Sequence, residues 1–478
     1  MCSKRHVARP ALKTRSAPLP QRWIDVKPRL ALFVASLATF LVAIDGTVLF
    51  AAFQRLVQSF PGEPPTLVAW VLNAYTITVA SLLIVSGRLG DWIGQERVFR
   101  IGLSLFLVAS YACGNSAHLS ELIAARVLQG MGAAMLTPSS LALILGNHRD
   151  AQKPMAIAIW GATGGLAAAL GPGLGSVVVG HLGWHWAFYL NLPLGAIAVL
   201  AASFLGGPPL TTRLRLRHGI DVLSAVLLGG ALACLTWTLL SARSIDPIHL
   251  GIGMLLTIAL GGWFVYRSRQ VPQALVPAVL WRVPGYMAAT GASICFSTGF
   301  AMLFFGFFFL VTNVWKLDLS HAGLAITPGP LTVIPVTVAS GRLAMRWGHR
   351  PLIIAGAALL GLSALWLMHY PTYPQYASFL LPGLLVSGVG IGLVMSSLTA
   401  VATMKLPAHM HGIGAAVNQT VRQIGSVLGV TLTVTLMAQR ATGYDPYVLL
   451  YATLTLLSLA TVACVWRWRA EPAARILG

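Results

Sequence analysis

Fourteen apolar stretches, each long enough to cross a bilayer as a helix, take up most of this chain. They fall near residues 30–55, 66–87, 98–116, 119–147, 154–180, 186–206, 219–241, 248–266, 285–312, 322–345, 351–370, 377–403, 411–438 and 446–466. About 20 apolar residues span the hydrocarbon core. Inside it every backbone N–H and C=O needs an internal partner, so such segments are helices. The composition agrees: 56% of the 478 residues are hydrophobic and only 9% charged, against about a quarter charged in a soluble domain. The expected class is an all-α integral membrane protein.

A repeat subdivides the chain. GRLGDWIGQERVF, Gly87 to Phe99, returns in altered form as GRLAMRWGHRPLI, Gly341 to Ile353. Both copies sit between apolar runs and read as short basic loops between membrane helices. Recurrence of this kind marks two related bundles. Six helices with their loops fill roughly 190–200 residues, and the two copies lie farther apart, leaving room for one extra helical hairpin. The organisation expected is a basic tail over 1–29, a six-helix bundle over 30–206 and an inserted hairpin with linkers over 207–283. A second bundle over 284–468 and a tail over 469–478 follow.

The net charge of +20 would suggest nucleic acid in a soluble protein. Its distribution excludes that reading. With the N-terminus inside, only Arg55, Arg243, Lys316 and Arg440 of the 32 Lys and Arg fall in outer loops, and Arg126 and Arg422 lie within spans. The positive-inside rule then places both termini in the cytoplasm. The tail has no apolar stretch and reads as disordered, a topology anchor or a lipid contact rather than a signal. Cys2, Cys113, Cys234, Cys295 and Cys464 show no paired spacing, so neither a disulfide nor a metal site is expected.

Of the twelve acidic residues, Asp45 alone lies near the middle of a predicted span. A carboxylate there costs about 2.5–3.5 kcal/mol on insertion scales, so it is expected to face a cavity and to have a task. Burial favours the neutral acid and a nearby cation favours the carboxylate, a balance suited to proton exchange. Arg126, in the first half of helix 4, is the natural partner, and Gln129 one turn on extends the polar track. On helix 5, Gly161/Gly165 and Gly171/Gly175 are small-xxx-small pairs that admit a neighbouring helix closely, and Pro172 permits a bend. Gly87 and Gly94 are read as tight-turn residues, with Asp91 between Arg88 and Arg97 placed to pair or to cap a helix. Arg422, in helix 13, either contacts substrate or braces Asn418 and Gln419. Phe40, Trp70, Tyr75, Gln129, Trp160 and Asn418 are candidate substrate contacts, as is Phe300 with Phe296 and Phe304 on one helix face; lipid contact or packing is the competing explanation for the aromatic residues. GVGIG at 388–392 lacks a preceding strand and reads as helix packing rather than a nucleotide fingerprint.

Seven landmarks now stand in register: AIDGTV (43–48), WVLNAY (70–75), GRLGDWIGQERVF (87–99), RVLQGMGAAM (126–135), GPGLG (171–175), WHWAFYLNLPLG (184–195) and NQTVRQIGSVLG (418–429). Together they resemble the major facilitator superfamily, and within it the fourteen-helix drug:proton antiporters. The resemblance implies the major facilitator fold, with two six-helix bundles around the inserted hairpin. It implies that the loop with Gly87, Arg88, Asp91, Gly94 and Arg97, echoed by Gly341, Arg342 and Gly348, acts as a gate latch. It further implies that Asp45 and Arg126 couple protons, and that Gly165, Gly171, Pro172 and Gly175 form an exporter signature. This chain departs from the family pattern at Gln95 and Glu96, where a basic pair is usual, and at Met345, where an acid is usual, so the latch is expected to be stronger in the first half. Phe50 and Gln54 replace an Asn and a Pro, which points to a drier cavity with a differently shaped outer end.

The reading that follows is a proton-coupled exporter of drugs or other lipophilic small molecules in a bacterial cytoplasmic membrane. It needs no cofactor, and its partners are substrate, protons and lipid, with no nucleic acid. The residues do not say whether a periplasmic adaptor joins it. No nucleophile–base or metal-ligand constellation suggests an enzyme. A proton-coupled importer of a small metabolite is the alternative, followed by a non-transporting sensor or scaffold. A lone acid favours cationic substrates and two buried arginines favour neutral or anionic ones; the sequence does not choose.

Overall fold

A computed structural model describes residues 21–149, 151–205, 221–242, 246–271, 274–277, 279–280, 283, 285–404, 411–438 and 445–466. Residues 1–20 and 469–478 of the expected tails, and Arg243 and Arg440, lie outside the described residues. Fourteen helices are long and apolar enough to cross a membrane. They are α1 (Lys27–Ser59), α2 (Pro65–Ile93), α3 (Gln95–Gly114), α4 (Leu119–Asn147), α5 (Met155–Leu182), α6 (Trp186–Ser203), α7 (Val222–Ser241), α8 (Pro247–Gln270), α9 (Tyr286–Val314), α10 (Leu319–Trp347), α11 (His349–Leu367), α12 (Tyr376–Ala402), α13 (Ile413–Met437) and α14 (Pro446–Trp466). No strand occurs among the described residues. Helix continues back from α1 to Gln21, through Pro28, into the stretch expected to be a disordered tail. Proline removes only its own bond to the carbonyl four residues earlier, so a preceding turn survives.

Helices α1–α6 pack on one another, and α9–α14 do so in the same pattern. In the first set α3 lies on α4, α1 on α5 and α2 on α4; in the second, α11 lies on α12, α9 on α13 and α10 on α12. The two six-helix bundles meet along two seams, α5 with α10 and α2 with α13. The repeat exchanges one seam for the other, as an internal two-fold relation requires. The hairpin α7–α8 is held at one end by Asp221, whose carboxylate accepts from Ser224 N at 3.1 Å and from Arg267 Nη2 at 3.1 Å. Burial works against the charged form of Asp221, yet these donors outweigh it and hold its carboxyl below the usual value.

The repeated basic segment is tighter than a loop. α2 ends at Ile93 and α3 begins at Gln95, joined by Gly94 alone at φ 98°; α10 and α11 are joined by Gly348 at φ 80°. Within the two repeated segments, Gly94 and Gly348 are the glycines that take the positive-φ backbone a side chain disfavours. Gly87 and Gly341, expected to be in the turns, are helical, because each helix runs on past the first motif residue to the last turn before the joint.

The glycines of α5 divide by environment. A Cβ on Gly171 would lie 1.9 Å from Thr47 Oγ1, and one on Gly175 would lie 2.8 Å from Val48 Cα, so these two admit α1. Around Pro172, α10 comes equally close: a Cβ on Gly323 would lie 2.6 Å from the Pro172 carbonyl oxygen. Gly161 and Gly165 have nothing within 4 Å of a built Cβ. The close approach expected of that pair is therefore absent, since their face of α5 borders open space. Glycines 388, 390 and 392 pack against α10 and α11 backbone or side chains, so GVGIG is helix packing. Because Gly175 meets backbone that cannot swing aside, Gly175→Leu is expected to destabilise the protein by about 1–3 kcal/mol. Gly161→Ala should be neutral or slightly stabilising. Thermal unfolding of the purified variants separates the two.

Candidate functional site: a sealed carboxylate beside a one-ended cavity

Asp45 on α1 is fully enclosed at 1% exposure, as is Arg126 on α4. Arg126 Nη1 donates to Asp45 Oδ2 at 2.7 Å, and Gln129 Nε2 and Asn191 Nδ2 donate to Asp45 Oδ1 at 2.8 and 2.9 Å. Two helices, α4 and α6, thus deliver three donors to one carboxylate on α1. The donors are themselves fixed. Arg126 Nε donates to the Val71 carbonyl at 2.9 Å and its Nη1 also to Gln129 Oε1 at 2.6 Å, while Gln129 Nε2 reaches Ser110 Oγ at 2.7 Å. The guanidinium carbon of Arg126 lies over the Tyr75 ring, 4.0 Å from its centroid, within cation–π range in a desolvated place.

Beside this network is a cavity of about 1670 Å³ between the bundles. Arg126 and Tyr75 line it, but Asp45 does not. The acid was expected to face the cavity; instead it lies behind its arginine, because the donors of α4 and α6 close over it. One end of the cavity is shut. Phe50 and Phe53 of α1 pack on Phe305 of α9 with centroids 4.8 and 5.6 Å apart. Gln54 Nε2 bridges the bundles beyond them, donating to Thr312 Oγ1 at 2.7 Å and Asn313 Oδ1 at 3.0 Å. At the opposite end the lining runs out past Arg88 to the exposed Asp91 beside the Gly94 joint. Phe50 and Gln54, the two positions at which α1 departs from the family pattern, both lie at this shut end.

Removing the Gln54 bridge with Gln54→Leu should favour opening of the shut end by about 1 kcal/mol, roughly fivefold in population. Distance measurements between spin labels at Ser59 and Lys316, both exposed at that end, should show the longer separation gaining weight.

The other expected residues separate. Trp160, Phe300, Asn418 and Arg422 line the cavity with Tyr75. Asn418 Oδ1 also accepts from Ser293 Oγ at 3.1 Å, and Trp160 Nε1 donates to Ser140 Oγ at 3.2 Å. Phe40 and Trp70 pack into the apolar core away from the cavity, and Gln129 is committed to Asp45, so none of these three is a substrate contact in this conformation. Phe40 precedes Asp45 by five residues, which turns it to a different face of α1. Asp91 accepts from Gln95 Nε2 at 2.9 Å, and Arg88 Nη2 donates to the Ala274 carbonyl in the linker at 2.8 Å. Arg97 and Arg342 are exposed. Asn191 and Ser110 had been given no role. Asn191 stood inside WHWAFYLNLPLG, an amide in an otherwise apolar run, and that was the available signal.

A family model described as the Major Facilitator Superfamily matches residues 35–430. The Tetracenomycin C resistance and export protein of Streptomyces glaucescens is 29% identical over 430 residues, 89% of this chain and 78% of the relative. The Multidrug resistance protein Stp of Mycobacterium tuberculosis is 31% identical over 406 residues, 84% of this chain and 74% of the relative. The Puromycin resistance protein pur8 of Streptomyces alboniger is 31% identical over 430 residues, covering 87% and 82%.

Proposed function

The chain belongs to the Major Facilitator Superfamily and is a transporter, and from that premise we propose that it exports drugs or other lipophilic small molecules in exchange for protons. The relatives named for resistance and export support the direction. The observation that carries the coupling is a three-donor carboxylate, Asp45, sealed behind an arginine that faces the cavity.

The working cycle is alternating access between bundles at 30–206 and 284–468, with 207–283 inserted. The charge bias of the loops puts both termini in the cytoplasm of a bacterial inner membrane, so the cavity opens inward in this conformation. Substrate enters there and seats among aromatic and apolar side chains at the midplane. After the bundles rock, a proton arriving from outside neutralises Asp45. A neutral acid holds a guanidinium less tightly than a carboxylate does. Arg126 then gains freedom, the wall of the cavity rearranges, the substrate leaves and the carrier returns. Loss of the proton inside restores the pair. The gradient supplies about 2.3 kcal/mol per charge per 100 mV and about 1.36 kcal/mol per unit of pH difference. The Gly94 and Gly348 joints, with Arg88, Asp91, Arg97 and Arg342 around them, supply the latch that closes the inner end when the outer end opens. Away from these joints, Gly165 borders the cavity, Gly171 and Gly175 let α5 pack on α1, and Gly173 faces α10.

The test is proton release from proteoliposomes under an imposed pH gradient, across a panel of anionic, neutral and cationic lipophilic compounds. Compound-dependent release supports antiport. Proton-driven accumulation in the opposite direction would make the protein an importer.

A further inference from the structure

We propose that the cavity is built for lipophilic acids, whose oxyanion docks on Arg422. The inference rests on the reading of this cavity as the transport site and names the chemistry of what it carries.

Three arginines border the cavity, Arg88, Arg126 and Arg422, and among the described residues the one acid in its lining is Asp91. Two of the arginines are already engaged. Arg126 is spent on Asp45, Gln129 and the Val71 carbonyl, and Arg88 reaches the Ala274 carbonyl. Arg422 has no hydrogen bond or ion pair among the described residues, although it is only partly exposed and what exposes it is the cavity. Its five donors stand ready in a planar fork that matches a carboxylate or phosphate edge.

The acids are arranged against a cationic ligand. Asp45 is shut behind Arg126 and Asp91 sits at the exposed rim, holding Gln95. A cation seated at the midplane would find guanidinium groups and no free carboxylate. An anion would find Arg422 with the amides of Gln419 and Gln423 beside it on the cavity-facing side of α13. Apolar rings of Phe50, Phe300, Phe304 and Phe307 line the rest and suit the body of an amphiphile.

Membrane depth sharpens the point. A guanidinium without a partner is expensive there, and it is tolerated now because the cavity is open to water. When the bundles close, that water leaves, and an empty carrier strands the charge. A bound oxyanion removes the penalty, so the ligand that Arg422 pairs with is also the ligand that lets the loaded carrier close.

The experiment compares three probes with one aromatic body: 1-pyrenebutyrate, its methyl ester, and the corresponding pyrenebutyl trimethylammonium cation. Binding to the purified full-length protein at neutral pH is read by fluorescence anisotropy. The acid should bind at least about tenfold more tightly than the cation, since charged hydrogen bonds are the strong ones. Arg422→Gln should weaken the acid about tenfold and leave the ester unchanged, which also shows that the variant is folded. Arg422→Lys should retain part of the preference, with charge kept and the fork lost. Equal or tighter binding of the cation, or an Arg422→Gln effect shared by all three probes, overturns the inference. Proton-driven flux of the same probes is scored separately. Flux of the cation alone, indifferent to Arg422→Gln, leaves export standing and removes this inference. An Arg422-dependent preference for the acid with no proton-driven flux of any compound does the reverse.

Discussion

Asp45→Asn should abolish compound-dependent proton release in proteoliposomes, down to the level of protein-free vesicles, while downhill exchange of the same compound survives. The substitution is nearly isosteric. The amide oxygen still accepts from Arg126 Nη1, which in the native protein sits 2.7 Å from Asp45 Oδ2. What disappears is the one group in the network able to take up and release a proton. Every other side chain that touches the carboxylate, Arg126, Gln129 and Asn191, is a donor with no proton to exchange under ordinary conditions. Release that persists in the variant would place coupling at another residue, and the network around Asp45 would then be structural.

Arg126→Ala should be the most damaging single change to stability, at about 3–5 kcal/mol, because it leaves a buried carboxylate without its cation. Removing both charges in Asp45→Asn/Arg126→Ala should recover much of the loss, because no unpaired ion is then left buried. Thermal unfolding of wild type, the two single variants and the double variant completes the cycle. A deficit not relieved in the double variant would mean that Arg126 matters for its packing on Tyr75 and its bond to the Val71 carbonyl rather than for the pair.

The fold was legible because the bilayer makes it so. Apolar length is written directly in the residues, and the fourteen stretches read from it coincide with the fourteen helices to within a few residues at most ends. The pair was legible for the same reason: charges at membrane depth are rare enough to point at each other. Asn191 and Ser110 carry no charge, and neutral polar groups occur in spans too often to stand out. The glycines show a different limit. Gly161/Gly165 and Gly171/Gly175 have identical spacing, yet one pair borders open space and the other receives α1. Spacing names a face of a helix and not its neighbour, which comes from residues more than a hundred positions away. The seal had the same obstacle. Gln54 could be seen as unusual, but its partners Thr312 and Asn313 lie on α9, in the other bundle.

The position of the hairpin has one more consequence. α7 packs on both α2 and α13, with Leu228 and Leu232 buried in a cluster that includes Ile84 and Val421, and Thr435 Oγ1 donates to the Leu239 carbonyl at 3.2 Å. It therefore straddles one of the two seams between the bundles and leaves the α5–α10 seam uncovered. The hairpin thus shields one seam from the surrounding lipid, while the other, flanked by the exposed Ile157 of α5 and Val338 of α10, has no extra helix over it among the described residues.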